Sequence, residues 1–266
     1  MKTRAIIVSA LVILLAVFNQ CKKDKDPGAP DIPPETTFIM DFSDFDTTQS
    51  SKAFYSKSVK GTDSTINNWI HAAGNVFAWN VIIIIGMAVP VGSFQAALAQ
   101  NSEYLGDDEW QWSYSFTAGG SHTAELHAKL NGDEITWTMY IDDFKWYTGV
   151  SKVNARSGYW ILYKSKLQPV EYIQIDWNRD PDNNTWDIKY TNIEDGNVEK
   201  GGYIKHGIVS GGSYDAFFDI YNKGQDNLTE IEWNRTTSDG RVKDENKFGD
   251  TEWHCWDTSL QDINCQ

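Results

Sequence analysis

Val76-Phe-Ala-Trp-Asn-Val-Ile-Ile-Ile-Ile-Gly-Met-Ala-Val-Pro-Val91 lies at the centre of a longer stretch, residues 64–102, that contains no Asp, Glu, Lys or Arg. The chain is otherwise rich in charged residues, so a charge-free stretch of this length needs a structural reason. As a helix it would be apolar on every side, with no face that prefers water. We therefore expect another part of the chain to cover it.

The residues around this stretch predict a helix over about residues 65–87. Side chains in residues 62–65 offer N-cap oxygens, and Pro90 closes the helix. A second short helix is predicted over residues 93–99. A membrane span is the alternative interpretation, because about 20 uncharged residues are its usual signal. Asn80 in the middle, and the absence of basic residues at either end, favour burial within the protein.

The overall charge argues against one class of partner. The chain has 23 Lys and Arg against 37 Asp and Glu, a net charge of −14. Such a field repels polynucleotides and anionic lipid surfaces. We therefore expect no nucleic-acid partner.

The N-terminus predicts export. Met1-Lys-Thr-Arg4 is basic, and the apolar run up to Phe18 is short for a membrane span. Asn19-Gln20-Cys21 follows, and here the chain resembles a bacterial lipoprotein precursor. That resemblance implies that a signal peptide over residues 1–20 is removed and that Cys21 carries the lipid, palmitate among its acyl chains, that anchors the protein in a membrane. Lys22, rather than Asp, favours the outer membrane; an ordinary secretory peptide is the alternative.

The rest of the chain predicts a mainly β fold. In residues 109–117 four aromatic residues alternate with polar ones, which is the period of a strand with one buried face. About ten such strands follow one another, separated by turn-rich segments. We predict an antiparallel up-and-down barrel or curved half-barrel, with the hydrophobic helix packed on its concave side.

This interpretation divides the chain into a signal peptide, a tether and one domain. Pro, Gly, Asp and Lys are frequent in the tether. The predicted boundaries are 1–20 for the signal peptide, 21–37 for the tether and 38–266 for the domain, itself made of a loop (38–63), the helical segment (64–102) and the sheet (103–266).

Two cysteines remain near the C-terminus, Cys255 and Cys265. In an oxidising compartment such a pair most simply forms a disulfide that holds the tail. A metal site is the weaker alternative, because two thiolates do not complete a zinc shell and only His254 is nearby.

One loop has the spacing of a calcium site. Asp180, Asp182 and Asn184 occupy alternate positions, as ligands do in loops that bind hard cations. The loop lacks the glycine and the final acid of an EF-hand, so an Asx-rich hairpin turn is the favoured explanation and a calcium site the weaker one. We expect no other cofactor.

Adjacent aromatic residues suggest a ligand platform, because neighbours in a strand face opposite sides of the sheet. The candidates are Trp146, Tyr147, Tyr159, Trp253 and Trp256. Rings of this kind pack in cores or, where exposed, bind flat ligands such as sugars.

Three functions remain open from the sequence. The first is a non-catalytic, lipid-anchored envelope protein that binds a small apolar ligand, a lipid or a glycan. The second is an accessory subunit that docks onto another envelope protein. The third is a hydrolase, for which Ser210 and Ser213 near His206 are weak candidates because no nucleophile motif surrounds them. An open cavity would favour the first function and a filled interior the second.

Overall fold

A computed structural model describes residues 28–45 and 65–265, apart from the side chains of Asp44, Ile84 and Ile85. The mainly β prediction is confirmed: the chain forms one 14-stranded sheet whose neighbouring strands are all antiparallel and follow sequence order. The strands are β1 (Glu103–Gly106), β2 (Glu109–Thr117), β3 (Ser121–Asn131), β4 (Glu134–Ile141), β5 (Phe144–Lys152), β6 (Ser157–Ser165), β7 (Gln168–Asp180), β8 (Thr185–Asn192), β9 (Tyr203–Ile208), β10 (Ala216–Asn222), β11 (Asn227–Trp233), β12 (Gly240–Asp244), β13 (His254–Trp256) and β14 (Asp262–Ile263).

The ten predicted strands correspond to β2–β11, and the count is wrong because β1 and β12–β14 were missed. Those four strands have two to five residues each, too few to show an alternating pattern. Among the described residues the sheet is open, with β1 and β14 at its two ends. A closed barrel is therefore not observed.

One face of the sheet holds the core. The alternation predicted for β2 is present, since Trp110 and Trp112 are buried and Gln111 between them is not. Further along the sheet, Trp137, Trp160 and Trp177 are each at most 1% exposed. Burying side chains of this size contributes several kcal/mol, about 25 cal/mol for each Å² of apolar surface.

The absence of a side chain at a glycine makes room for one of these rings. A Cβ placed on Gly149 of β5 would lie 2.3 Å from the ring of Trp160 on the neighbouring strand. Glycine is therefore required at this position by packing rather than by a turn.

The charge-free stretch forms one helix, α1 (Asn67–Ala97), instead of the two predicted. Pro90 lies inside it, and the arms Asn67–Ile83 and Gly86–Ala97 meet at 71°. Proline at position 90 removes the hydrogen bond to the carbonyl of residue 86, which explains a bend there without a break. No single helix in the described chain has the length and hydropathy of a membrane span, whereas the two bent arms together meet those criteria.

The sheet covers only one side of α1. Trp69, Val76 and Met87 face the sheet and are at most 5% exposed. On the other side Phe77 is 49% exposed, and Ile70 and Val81 are each 38% exposed. Among the described residues the expected cover is therefore missing on this outer face, because a helix lying on one layer can bury only one stripe.

The C-terminal tail caps the start of α1. The residue before the helix, Ile66, provides no side-chain cap. The carboxylate of Asp262 on β14 accepts instead from the backbone N–H groups of Asn67 (3.1 Å) and Asn68 (2.9 Å). Cys255 and Cys265 form a disulfide across the same tail, so the predicted bridge is confirmed.

The described part of the N-terminal segment packs on the body of the protein. Pro33 is buried, and the ring of Phe38 stacks 4.6 Å from that of Phe94 on α1. The tether predicted over 21–37 is therefore too long at its C-terminal end, because residues 28–37 belong to the folded body. Phe42 and Phe45, in the predicted loop, pack on the sheet. The rest of that loop, 46–63, lies outside the described residues, as do Cys21 and the signal peptide.

Candidate functional site

An open cleft of about 580 Å³ lies between the first arm of α1 and the inner face of β7–β12. A cavity of this size is in the range that holds small ligands. We call it the helix–sheet cleft. Its principal lining residues are His71, Asn75, Trp79, Ile82, Tyr172, Tyr190, Asn192, Glu199, Tyr221, Asn222, Gln225, Asn227, Thr229, Asp244, Asn246 and Lys247.

A buried carboxylate organises the floor of the cleft. Asp244, at the end of β12, is 3% exposed and accepts from the Thr229 hydroxyl (2.7 Å) and the Asn227 amide (2.9 Å). It also caps the four-residue helix α2 (Glu245–Phe248) by accepting from the backbone N–H of Lys247 at 3.1 Å. Burial alone would raise the pKa of Asp244, but these hydrogen bonds and one from His71 hold it below its usual value.

The same carboxylate positions a side chain of α1. His71 Nε2 lies 2.8 Å from Oδ2 of Asp244, so this nitrogen carries the proton that it donates. One helical turn on, the Asn75 amide donates to the His71 carbonyl at 3.0 Å. The helix is thereby held to β12 at the edge of the cleft, and the charge of Asp244 is fully engaged by protein donors.

Aromatic rings line opposite sides of the cleft. Trp79 projects from α1 and Tyr172 from β7, and both are half-buried. Tyr190 on β8 is fully buried, and its hydroxyl donates to the Phe38 carbonyl at 2.8 Å and accepts from the Met40 N–H at 2.9 Å. Burial raises the pKa of Tyr190, so the ring is a neutral wall of the cleft.

Amide side chains form the rim. Asn192 ends β8, Asn222 ends β10 and Asn246 follows β12, so antiparallel pairing brings all three to one edge of the sheet. Asn192 and Asn222 each use Oδ1 to accept a turn N–H at 3.0 Å. Within the described chain no partner is recorded for their Nδ2 groups or for the side chains of Asn246 and Gln225. The rim thus presents unpaired donors and acceptors to the cleft.

The structure separates the five aromatic residues proposed as a platform. Tyr147 and Trp256 are at most 1% exposed and belong to the core. Trp146 lies in a β-bulge of β5 and packs edge-on against Phe144, while Tyr159 is 37% exposed on the outer face of β6. None of these residues lines the helix–sheet cleft.

The last of the five, Trp253, is held by cations. The guanidinium of Arg241 lies 4.2 Å from the centre of its ring, and the ammonium of Lys243 lies 4.9 Å away. Two cations therefore contact this ring, and Trp253 does not line the helix–sheet cleft. Trp79, predicted as part of the covered helix, is the half-buried Trp that lines the cleft. The signal that could have found the site is the recurrence of Asn at the ends of alternate strands.

The predicted calcium residues form a hairpin turn between β7 and β8. One carboxylate oxygen of Asp180 accepts from the backbone N–H of Asp182 at 3.1 Å and the other from the Asn183 amide at 2.6 Å. Asp182 pairs with Arg156 at 2.8 Å, and Asn184 has a φ of 53°. These are the contacts of an Asx-rich turn. In the described residues no group of three or more His, Cys, Asp or Glu is arranged to hold a metal ion.

The residues considered for a hydrolase differ in burial. His206 is 3% exposed and stacks on Phe218, with its ring centre 4.3 Å away. Its Nδ1 donates to the Phe217 carbonyl at 2.8 Å. Ser210 and Ser213 are exposed in the following loop. Burial lowers the pKa of His206 to about 4, so it is a neutral part of the core.

The chain was compared with protein-family models, curated proteins and solved structures, and none of them matches it.

Proposed function

We propose that this protein is a non-catalytic, lipid-anchored protein of the cell envelope that binds a small ligand in the helix–sheet cleft. The observation that carries the proposal is the open cavity of about 580 Å³, lined by half-buried rings and unpaired amides. Cavities with convergent polar groups are the usual form of small-molecule sites. The hydrogen bonds of Asp244 hold the floor in place before any ligand arrives, which lowers the cost of binding.

The length of α1 compared with the width of the sheet favours a curved sheet. The start of α1 bonds to β13 through Asn68 and Cys255, whereas its end bonds to β2 through Ser93 and Tyr114. These strands are eleven places apart, which is about 50 Å in a flat sheet at the usual spacing. A bent helix of 31 residues spans less than its straight length of about 46 Å. We therefore propose the half-barrel form, with the cleft at its open side.

Native mass spectrometry tests ligand binding. The full chain, purified from its own cells, is expected to carry a non-covalent small molecule. The variant Ala78→Trp, which places a ring in the cleft from an exposed helix position, is expected to lose it. The control Gly74→Trp, also exposed on α1 but outside the cleft lining, is expected to retain it. An empty wild-type protein, or equal retention in both variants, would contradict the proposal.

The lipid anchor has its own test. Wild-type protein is expected to show the mass of acyl chains on Cys21 and to sediment with the outer membrane. Cys21→Ser is expected to lose both properties, because a thioether-linked lipid needs the thiol. An unchanged mass and an unchanged membrane fraction would contradict this part of the proposal.

Docking onto another envelope protein is the second candidate. It is favoured by the charge-free outer face of α1, where Phe77 is 49% exposed and Ile70 and Val81 are each 38% exposed. Apolar surface of this kind marks contact sites on many proteins. A stoichiometric protein partner in the same mass spectra, lost in Phe77→Ser and kept in Ala78→Trp, would favour docking over ligand binding.

A further inference from the structure

We propose that the ligand of the helix–sheet cleft is a neutral saccharide. A sugar ring would lie against Trp79 and Tyr172 and bond through its hydroxyls to the amides of the rim. This inference rests on the proposed ligand-binding function and selects one chemical class within it.

The rim amides match the chemistry of hydroxyl groups. Each sugar hydroxyl donates one hydrogen bond and accepts others, and each primary amide offers both kinds of group. Asn192 and Asn222 are oriented by the turn N–H groups on their Oδ1 atoms, which leaves Nδ2 free to donate. Gln225 and Asn246 add donors and acceptors at the same edge. A rim of this kind is complementary to a polyol.

The rings match the other surface of a sugar. The C–H groups of a pyranose form an apolar face, and an aromatic ring offers a flat surface to cover it. Trp79 and Tyr172 are half-buried. The buried part of each side chain is held by packing, and the rest lines the cleft. The Trp79 Nε1 group has no recorded partner in the described chain and is a further donor.

Charge argues against an ionic ligand. Asp244 has four protein donors on its carboxylate, so its charge is already stabilised. Glu199 and Lys247 carry opposite charges in the lining. A fatty acid would desolvate the rim amides without replacing their bonds to water, which is unfavourable for each amide. The cleft therefore favours a ligand that is polar and uncharged.

The experiment uses the full chain in lauryldimethylamine oxide, a detergent that contains no sugar. The protein is applied to a glycan array of neutral and uronic-acid glycans, and the best neutral oligosaccharide is titrated by calorimetry beside laurate. We expect binding to one or more neutral glycans in one-to-one stoichiometry, with weaker binding of uronic-acid analogues and no binding of laurate.

Variants locate the site. Trp79→Leu is expected to weaken the sugar complex at least tenfold and Trp79→Phe less than threefold, because a ring remains. Gln225→Ala and Asn246→Ala, both exposed positions, are expected to weaken it two- to tenfold while leaving the thermal midpoint unchanged. The matched control is Trp146→Leu, a half-buried Trp outside the cleft, and it is expected to bind as wild type.

The outcomes separate the two proposals. Binding of laurate or uronic-acid glycans alone overturns the neutral saccharide and leaves ligand binding in place. A co-purified molecule that is not a sugar, together with an empty array, also overturns the neutral saccharide and leaves ligand binding in place. Sugar binding that is insensitive to Trp79→Leu and Gln225→Ala overturns the assignment to this cleft. An empty array together with an empty native mass spectrum overturns both.

Discussion

Replacement of Asp244 by alanine tests the floor of the cleft. The side chain accepts four hydrogen bonds, and the two from Thr229 and Asn227 come from donors that are 2% and 9% exposed. His71 is half-buried and Lys247 is exposed, so water can replace the acceptor that these two donors lose. Counting only the two buried donors, at about 1.5 kcal/mol for a bond to a charged group, we expect a loss of about 3 kcal/mol. For a domain of this size the melting temperature should fall by about 6–12 °C.

The assay is urea unfolding followed by tryptophan fluorescence, at pH 7 and then at lower pH. Because the folded pKa of Asp244 lies below its ordinary value of 3.8, the unfolded chain takes up the proton first as the pH falls. The stabilisation is therefore complete above that value and is lost as the pH falls through the folded pKa. The difference between wild type and Asp244→Ala should be constant from pH 5 to 8 and smaller at pH 3.

Glu252→Ala is the matched control, an exposed carboxylate in the next loop, and should change the stability by less than about 0.5 kcal/mol. A loss below about 1 kcal/mol for Asp244→Ala would refute the hydrogen-bond reasoning. A difference that persists unchanged at pH 3 would show that the ionised form is not what the donors stabilise.

Three further predictions concern the core and the helix. Because burial lowers the pKa of His206 from 6.5 to about 4, stability should fall by on the order of 3 kcal/mol as the pH drops across that interval, and His206→Phe should flatten the decline in pH-resolved urea titrations. Gly149→Ala should lower the free energy of unfolding by about 1–3 kcal/mol in the same assay, because the new methyl group displaces the ring of Trp160. Gly74→Ala, at an exposed helix position, should raise it by up to about 1 kcal/mol. Equal effects of the two changes would contradict the packing argument. Asp262→Ala should lower the thermal midpoint by removing about 1–2 kcal/mol of capping energy, and hydrogen exchange should rise first at Asn67 and its neighbours.

Strands with a clear period of two were predictable, and short ones were not. In β2 every second residue is a large ring, so the sequence alone identifies both the strand and its buried face. In β12 the single apolar side chain, Val242, gives no pattern. Its place in the sheet depends on pairing with β11, which only the folded chain provides.

The helix was predictable in type but not in length. Pro90 normally ends a helix, yet here Ser93 Oγ donates to the Pro90 carbonyl and Phe94 packs against Phe38 beyond it. Tertiary packing of the second arm therefore outweighs the lost hydrogen bond, and two predicted segments become one bent element.

The cleft could not be predicted because its residues are distant in sequence. Asn75 and Trp79 precede Asn192 and Asn246 by more than 100 positions, and only the helix packing on β12 brings them together. Aromatic doublets were a misleading signal for the same reason. In Trp146-Tyr147 a bulge sets which ring faces the core, and the sequence does not mark the bulge.

Capping of α1 by Asp262 joins residues 195 positions apart. During synthesis the first turn of the helix is made long before Asp262, so its amides lack this acceptor until that residue has been added. A contact between residues so far apart in sequence slows folding, and it makes an early native nucleus around α1 unfavourable. Assembly of the helix start therefore depends on β14 joining the sheet, and loss of that strand would free the amides of Asn67 and Asn68.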